Sequence, residues 1–225
     1  HSEKALNQYE TDLSDGRWFK MTRINLDSGY TIIMGADITN LKQAQTSLEQ
    51  AHQQIESLVN TDQLTGMHNR RSYNQLAKQE CARAIRFNQQ LSLLVIDIDY
   101  FKVINDNFGH DGGDSILKQF AQICSDLLRQ SDSLSRIGGE EFTIILPMTD
   151  GEGAMIIAER IREHIAKHSF HTTQTNNNIN VTVSIGVSSL TAGDKVIQDL
   201  FSRADMAMYC AKRGGRNQVQ QTQPV

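Results

Sequence analysis

Leu91-Ser92-Leu93-Leu94-Val95-Ile96-Asp97-Ile98-Asp99 restricts the possible folds more than any other stretch of this chain. So nearly continuous an apolar run reads as a strand covered on both faces, which places helices or loops on both sides of a central sheet. The run ends in two acids. Side chains alternate along a strand, so Asp97 and Asp99 share one face while Ile96 and Ile98 fill the other. Burying a carboxylate behind such a run is costly unless it is paired or binds a cation, which makes Asp97 a candidate metal ligand. Asp99 precedes an expected short helix, Tyr100 to Asn107, where helix capping accounts for it as well as ligation does.

Arg136-Ile137-Gly138-Gly139-Glu140-Glu141-Phe142 supplies the other half of a site. Short apolar segments on either side, Leu134 to Ile137 and Glu141 to Leu146, read as the arms of a β-hairpin with Gly-Gly at its turn. Adjacent carboxylates repel, and glycines let a backbone approach something bulky. Paired acids at such a tip suit a hard cation, and Mg²⁺ is bound by one or two carboxylates together with waters and phosphates. Two such ions, ~3.5–4 Å apart, clamp the attacking and leaving oxygens of an in-line displacement. Taken alone, the four residues are equally a solvated turn that carries acids.

With these two elements the chain resembles the GGDEF family, the diguanylate cyclases that condense two GTP into cyclic di-GMP and pyrophosphate. The resemblance runs from about Asn60 to Gln218 and rests on four blocks in order. They are Thr61-Asp62-Gln63-Leu64-Thr65-Gly66-Met67-His68-Asn69-Arg70-Arg71, the segment from Asp97 through Asp114, the Gly-Gly-Glu-Glu-Phe hairpin, and Ala204 through Asn217. It implies a palm-like α+β fold with a mainly antiparallel sheet flanked by helices. It implies that Asp97, the Ile98 carbonyl and Glu140 hold two Mg²⁺ ions (Mn²⁺ being the other option), with Glu141 as a further ligand or as the group that helps deprotonate the 3′-hydroxyl. Such a site works by positioning and charge neutralisation.

The same match assigns guanine to Asn105 and Asp114. An ionised Asp only accepts hydrogen bonds, which fits guanine's N1–H and amino edge and would suit adenine poorly. Gly138, Gly139, Phe101, Lys102, Lys212 and Arg216 match the remaining nucleotide contacts. Lys212 and Arg216 near a helix C-terminus also complement its dipole, and Arg213 reads as solvated. Arg129 and Asp132 match an inhibitory Arg-x-x-Asp site for cyclic di-GMP, which Arg160 of a neighbouring domain completes; Arg forks bind phosphate and guanine edges in pairs. A non-catalytic cyclic di-GMP receptor using only Arg129, Asp132 and Arg160 is the alternative. The intact hairpin argues against it.

The expected elements after Asn60 are helix Arg70 to Asn88, strand Leu91 to Asp99, helix Gly113 to Arg129, the hairpin, helix Glu152 to Lys167, strand Ile179 to Val187 and helix Val196 to Lys212, with Asn176-Asn177-Asn178 as a turn. Upstream, Arg17 to Thr22 and Tyr30 to Gly35 read as two strands resembling the end of a PAS domain. Leu41, Leu48 and Ile55, with Ala44, Ala51 and Leu58, recur every seven residues, a seam suited to a parallel coiled-coil homodimer. One amphipathic helix packed on its own domain is the plainer account. The expected division is residues 1–40 PAS-like, 41–60 coiled coil, 61–220 cyclase and 221–225 a disordered tail.

A net charge of −4 gives no global field to attract nucleic acid, so a polyphosphate partner depends on local cations and Mg²⁺. No run of 18 apolar residues occurs, so no direct membrane contact is expected of this segment. His1 does not read as a native start, which implies an upstream sensor or membrane anchor. Cys81, Cys124 and Cys210 show no metal-type spacing and read as reduced core residues of a cytoplasmic protein, and Met155, Met206 and Met208 read as core.

Overall fold

The structure, a computed structural model, describes residues 6–26, 28–172 and 175–222. Side chains of residues 49–59 and 175–177 lie outside that description, as do those of Leu6 and Asn7. The chain divides into two compact units, His1–Ser57 and Leu58–Val225.

In the first unit, β1 (Leu6–Asp12), β2 (Trp18–Asn25) and β3 (Thr31–Asp37) form an antiparallel sheet in that order, one strand more than the sequence suggested. β1 has few apolar residues, and its pairing along β2 rather than its own pattern makes it a strand. Helix α1 (Thr39–Asn60) follows at once. Asp37 accepts from the Thr39 N–H at 2.9 Å, and the Thr39 hydroxyl in turn accepts from the Trp18 N–H at 2.9 Å. Leu41, Ala44 and Leu48 are exposed along α1, so the first half of the heptad seam is uncovered among the described residues. Ala51, Ile55 and Leu58 have side chains outside the described residues.

The second unit is built on a six-stranded sheet. Its strands are β4 (His68–Asn69), β5 (Leu91–Ile98), β6 (Ser133–Arg136), β7 (Glu141–Pro147), β10 (Val183–Ser189) and β11 (Val219–Gln221). Their order is β11-β10-β5-β7-β6-β4, and only the outermost pairs on each side are parallel. β5 lies near the middle, antiparallel to both neighbours and buried along its whole length, as its composition demanded. Leu94, Ile96 and Ile98 face one core with Phe120 and Phe142, whose rings lie 4.6 Å apart; Leu91, Leu93 and Val95 face a second with Tyr73, Leu200, Ala204 and Met208. Helices α3 (Phe101–Leu127) and α4 (Gly151–Lys167) contribute to the first, and α2 (Arg70–Phe87) and α5 (Ile197–Arg213) to the second. Asp97 continues the Leu93–Val95 row and so emerges on the α5 side.

The two helices expected on either side of residue 109 are both present, joined within α3 across a non-helical break at Gly109, where φ is 68° and ψ 175°. Other expectations need correction. Asn176 to Asn178 lie in β9 (Thr175–Ile179), which pairs with β8 (Phe170–Thr172), because backbone pairing overrides the turn preference of asparagine. Gln221 closes β11 and the Thr222 hydroxyl donates to the Arg203 carbonyl, so the chain is ordered two residues into the expected tail. Cys210 and Met206 are exposed, not core. No helix among the described residues is long and apolar enough to cross a membrane.

Candidate active site

Strand register builds the site. Asp97 pairs with Glu141 across β5 and β7, and the Ile98 N–H donates to the Glu140 carbonyl at 3.3 Å. The two acidic segments recognised in the sequence thus meet at one end of the sheet. Asp97 is 4% exposed and receives Lys212 Nζ at 2.6 Å. Burial pushes its carboxyl up to about 6; Lys212 opposes that rise, while the Glu140 and Glu141 charges add to it. One ammonium thus pairs with Asp97 while two glutamate charges stand close enough to raise it, so the deepest of the three carboxylates is short of positive charge.

That deficit is the structural test for a divalent ion, and the donors fit one. Asp97, the Ile98 carbonyl, Glu140 and Glu141 offer only hard oxygens. Among the described residues no group of three or more His, Cys, Asp or Glu is arranged to hold a metal unaided. Mg²⁺ does not require that, since waters and substrate phosphates complete its shell.

The hairpin tip is shaped for close approach. Glu141 folds over Gly138, where a Cβ would meet its Oε2 at 2.5 Å, and nothing lies within 4 Å of a Cβ at Gly139. Its position is fixed by Arg136, which the sequence reading passed over. Arg136 donates to the Gly139 carbonyl from Nε (3.2 Å) and Nη2 (2.7 Å) and to Asp62 from Nη1 (3.0 Å). Burial favours the neutral form of Asp62, yet bonds from the Thr65 hydroxyl and N–H and from Arg136 outweigh it and hold the carboxyl below its usual range. An arginine two residues before Gly138, with an acid in an Asp-x-x-Thr turn upstream, was the available signal. Arg136→Ala is expected to speed amide hydrogen exchange at Gly138–Glu140 by about tenfold or more, the loss of two charge-assisted bonds. Arg136→Lys is not expected to restore it, because one ammonium cannot span both partners.

Other candidates lie as follows. Asn105, on the first half of α3, packs its Oδ1 where a Cβ on Gly113 would meet it at 1.9 Å, which brings it beside the backbone of Asp114. Asp114 and Lys102 are exposed. Phe101 is 5% exposed, its ring packed within the core, and its backbone N–H is the first of α3. That N–H belongs to the first turn of α3, whose cap residue Tyr100 makes no side-chain cap bond. Arg216 lies 4.4 Å over the Tyr100 ring, and Arg213 faces Tyr209. Asp99 is neither a helix cap nor exposed to a ligand: its carboxylate accepts from Thr182, Ser184 and Asn217.

Arg129 and Asp132 form the turn after α3, with the Arg129 N–H donating to Asp132 Oδ2 at 3.0 Å and the Arg129 side chain exposed. Arg160 donates to the Leu127 carbonyl at 2.7 Å, so this chain's own Arg160 stands at the same corner. A groove of about 320 Å³ beside the turn is lined by Thr61, His68, Leu128, Arg129, Asp132 and other residues.

The diguanylate cyclase GGDEF-domain model matches residues 59–218. The chain belongs to the GGDEF family. A diguanylate cyclase of Vibrio cholerae is 42% identical to this GGDEF chain over 172 residues, 76% of this chain and 52% of that protein. The chain thus spans about half the length of that relative, and less of several others. Two solved structures share the fold. One is the coiled coil and GGDEF domain of DgcB from Caulobacter crescentus in complex with c-di-GMP (TM-score 0.78, 28% identity, 82% of this chain and 97% of that one). The other is the active GGEEF domain of a Vibrio cholerae diguanylate cyclase (TM-score 0.66, 42% identity, 70% of this chain and 98% of that one).

Proposed function

We propose that this protein is a diguanylate cyclase, condensing two GTP into cyclic di-GMP with release of two pyrophosphates. The observation that carries the reading is Asp97 held in register with Glu141 beside Lys212, an acid cluster with too little positive charge of its own. In each half-reaction a ribose 3′-oxygen bonds to the α-phosphorus of the opposing GTP, the α–β anhydride bond breaks, and pyrophosphate leaves with its electron pair. Glu141 stands by the attacking hydroxyl, as ligand or as acceptor of its proton. Asn105 and Asp114 select guanine through acceptors facing its donor edge. Lys212, Arg216, Lys102 and the first-turn N–H groups of α3, Phe101 among them, neutralise the triphosphate. Mg²⁺ held by Asp97, Ile98, Glu140 and Glu141 would supply charge neutralisation at the phosphates and a more acidic 3′-hydroxyl.

The cluster lies at an open sheet end, and each domain presents one GTP, so two domains must face each other. The exposed Leu41, Ala44 and Leu48 support a parallel homodimer through α1. The N-terminal sheet is read as the closing strands of a PAS-like input domain.

Incubation with GTP and Mg²⁺, with products separated by chromatography, tests the proposal. Cyclic di-GMP and pyrophosphate are expected from the native chain and not from Glu141→Ala. No product, together with tight binding of cyclic di-GMP, would establish the receptor reading instead. Product inhibition is proposed at Arg129, Asp132 and Arg160. Arg129→Ala is expected to raise the inhibitory concentration of cyclic di-GMP by about tenfold or more, the worth of a paired guanidinium contact; unchanged sensitivity in a titration of the purified enzyme refutes that site.

A further inference from the structure

Asp99 is 3% exposed, and its partners are neutral: Ser184 Oγ at 2.7 Å on one oxygen, Thr182 Oγ1 at 2.7 Å and the Asn217 N–H at 3.0 Å on the other. Its own N–H donates to the Thr182 carbonyl at 2.9 Å. A carboxylate buried among uncharged donors is costly to maintain, so what it fastens matters.

It fastens two strained junctions together. Tyr100, the next residue, has φ 56°, while Arg216 and Asn217 have φ 63° and 44°. These are three of the five non-glycine residues with positive φ among the described residues, a conformation that side chains with a Cβ resist. The first junction opens α3 and the second follows α5. They meet outside as well, where Arg216 lies over the Tyr100 ring and Nη1 contacts its hydroxyl at 3.3 Å. From the other side, Arg162 of α4 donates to Asn217 Oδ1 at 3.0 Å. The outcome is a single block carrying Arg216 and, one turn earlier, Lys212 on Asp97.

We infer that Asp99 is a positioning residue for triphosphate binding: it pins the 214–217 turn to the start of α3 and holds Arg216 in place. The inference rests on the reading of Lys212 and Arg216 as phosphate contacts. It also separates the two acids of the Asp97-Ile98-Asp99 segment by role, one facing the reacting centre and the other serving the loop that frames it.

The test uses 3′-deoxyguanosine triphosphate with Mg²⁺, a nucleotide that binds but lacks the condensing hydroxyl, measured by calorimetry. Asp99→Ala is expected to weaken its binding about tenfold, the loss of an anchored charged contact, and to raise the GTP KM similarly while kcat moves less than about twofold. Asp99→Asn is expected to restore both. Its amide oxygen keeps the Thr182 and Asn217 donors, and the Ser184 hydroxyl can turn to accept from the amide nitrogen. Arg216→Ala added to Asp99→Ala should weaken binding little further, because the anchor and the anchored group act as one.

A metal ligand would behave in the opposite way: Asp99→Asn would lose kcat with nucleotide affinity kept, and that result overturns the inference. Should Asp99→Ala lose its cooperative unfolding transition, Arg162→Ala serves from the half-buried outer end, with about threefold weaker binding expected and no change overturning the idea. The underlying reading fails separately, if Arg216→Ala alone leaves binding of the deoxynucleotide untouched.

Discussion

Asp97→Asn is expected to slow cyclic di-GMP formation by about a thousandfold while leaving the thermal unfolding midpoint unchanged or higher. The two halves of this expectation come from the same burial. Burial pushes the Asp97 carboxyl up to about 6 against the pull of Lys212, with Glu140 and Glu141 adding to the rise. Ionised, the group therefore costs the fold stability at neutral pH; an amide of equal size removes that cost. Lys212 loses its partner, but its side chain is 29% exposed and can turn to water, so the usual penalty for stranding a buried cation is small. The reaction, by contrast, loses the deepest negative oxygen facing the Glu140–Glu141 tip. A rate assay and an unfolding scan on the same sample separate site from scaffold. A rate within tenfold of the native chain would remove Asp97 from the reacting centre.

The parts of this molecule that declared themselves in the sequence are those stabilised by their own pattern. β5 is almost wholly apolar, so its central position followed from composition, and its terminal acids and those of the Gly-Gly hairpin were recognised as two halves of a site. Their register, Asp97 opposite Glu141, came only from the structure. The parts that stayed hidden depend on pairing with something remote. β1 and β11 are short on apolar residues and become strands by joining β2 and β10, and β9 forms from an asparagine run because β8 lies beside it. Within the site, residue types that bear charge at an apolar strand end were legible. The groups that hold them were not: Arg136 and Asp62 lie far apart in the sequence, and Asp99 is defined by donors from Thr182, Ser184 and Asn217.

Gly186→Ala is expected to destabilise the second unit by on the order of 3 kcal/mol, lowering its unfolding midpoint by roughly 6–12 °C. Gly186 lies in the middle of β10, where α5 comes so close that an added Cβ would meet the Ala204 carbonyl oxygen at 1.9 Å and the Met208 nitrogen at 2.3 Å. Both are backbone atoms of α5, so no side chain can swing away; the helix itself must lift from the sheet. The four residues after Met208 lead directly to Lys212, which reaches Asp97 at 2.6 Å. Lifting α5 therefore strains the contact that offsets the buried carboxylate as well as the Ala204–Met208 packing. The expected signature is a lower midpoint together with weaker nucleotide binding in the protein that remains folded, a pairing that a purely local cavity or surface defect would not produce. Gly186→Ser should behave the same way, because the clash begins at the first side-chain carbon. Normal stability in either variant would show that α5 can stand farther from β10, and the seating of Lys212 on Asp97 would then need another cause.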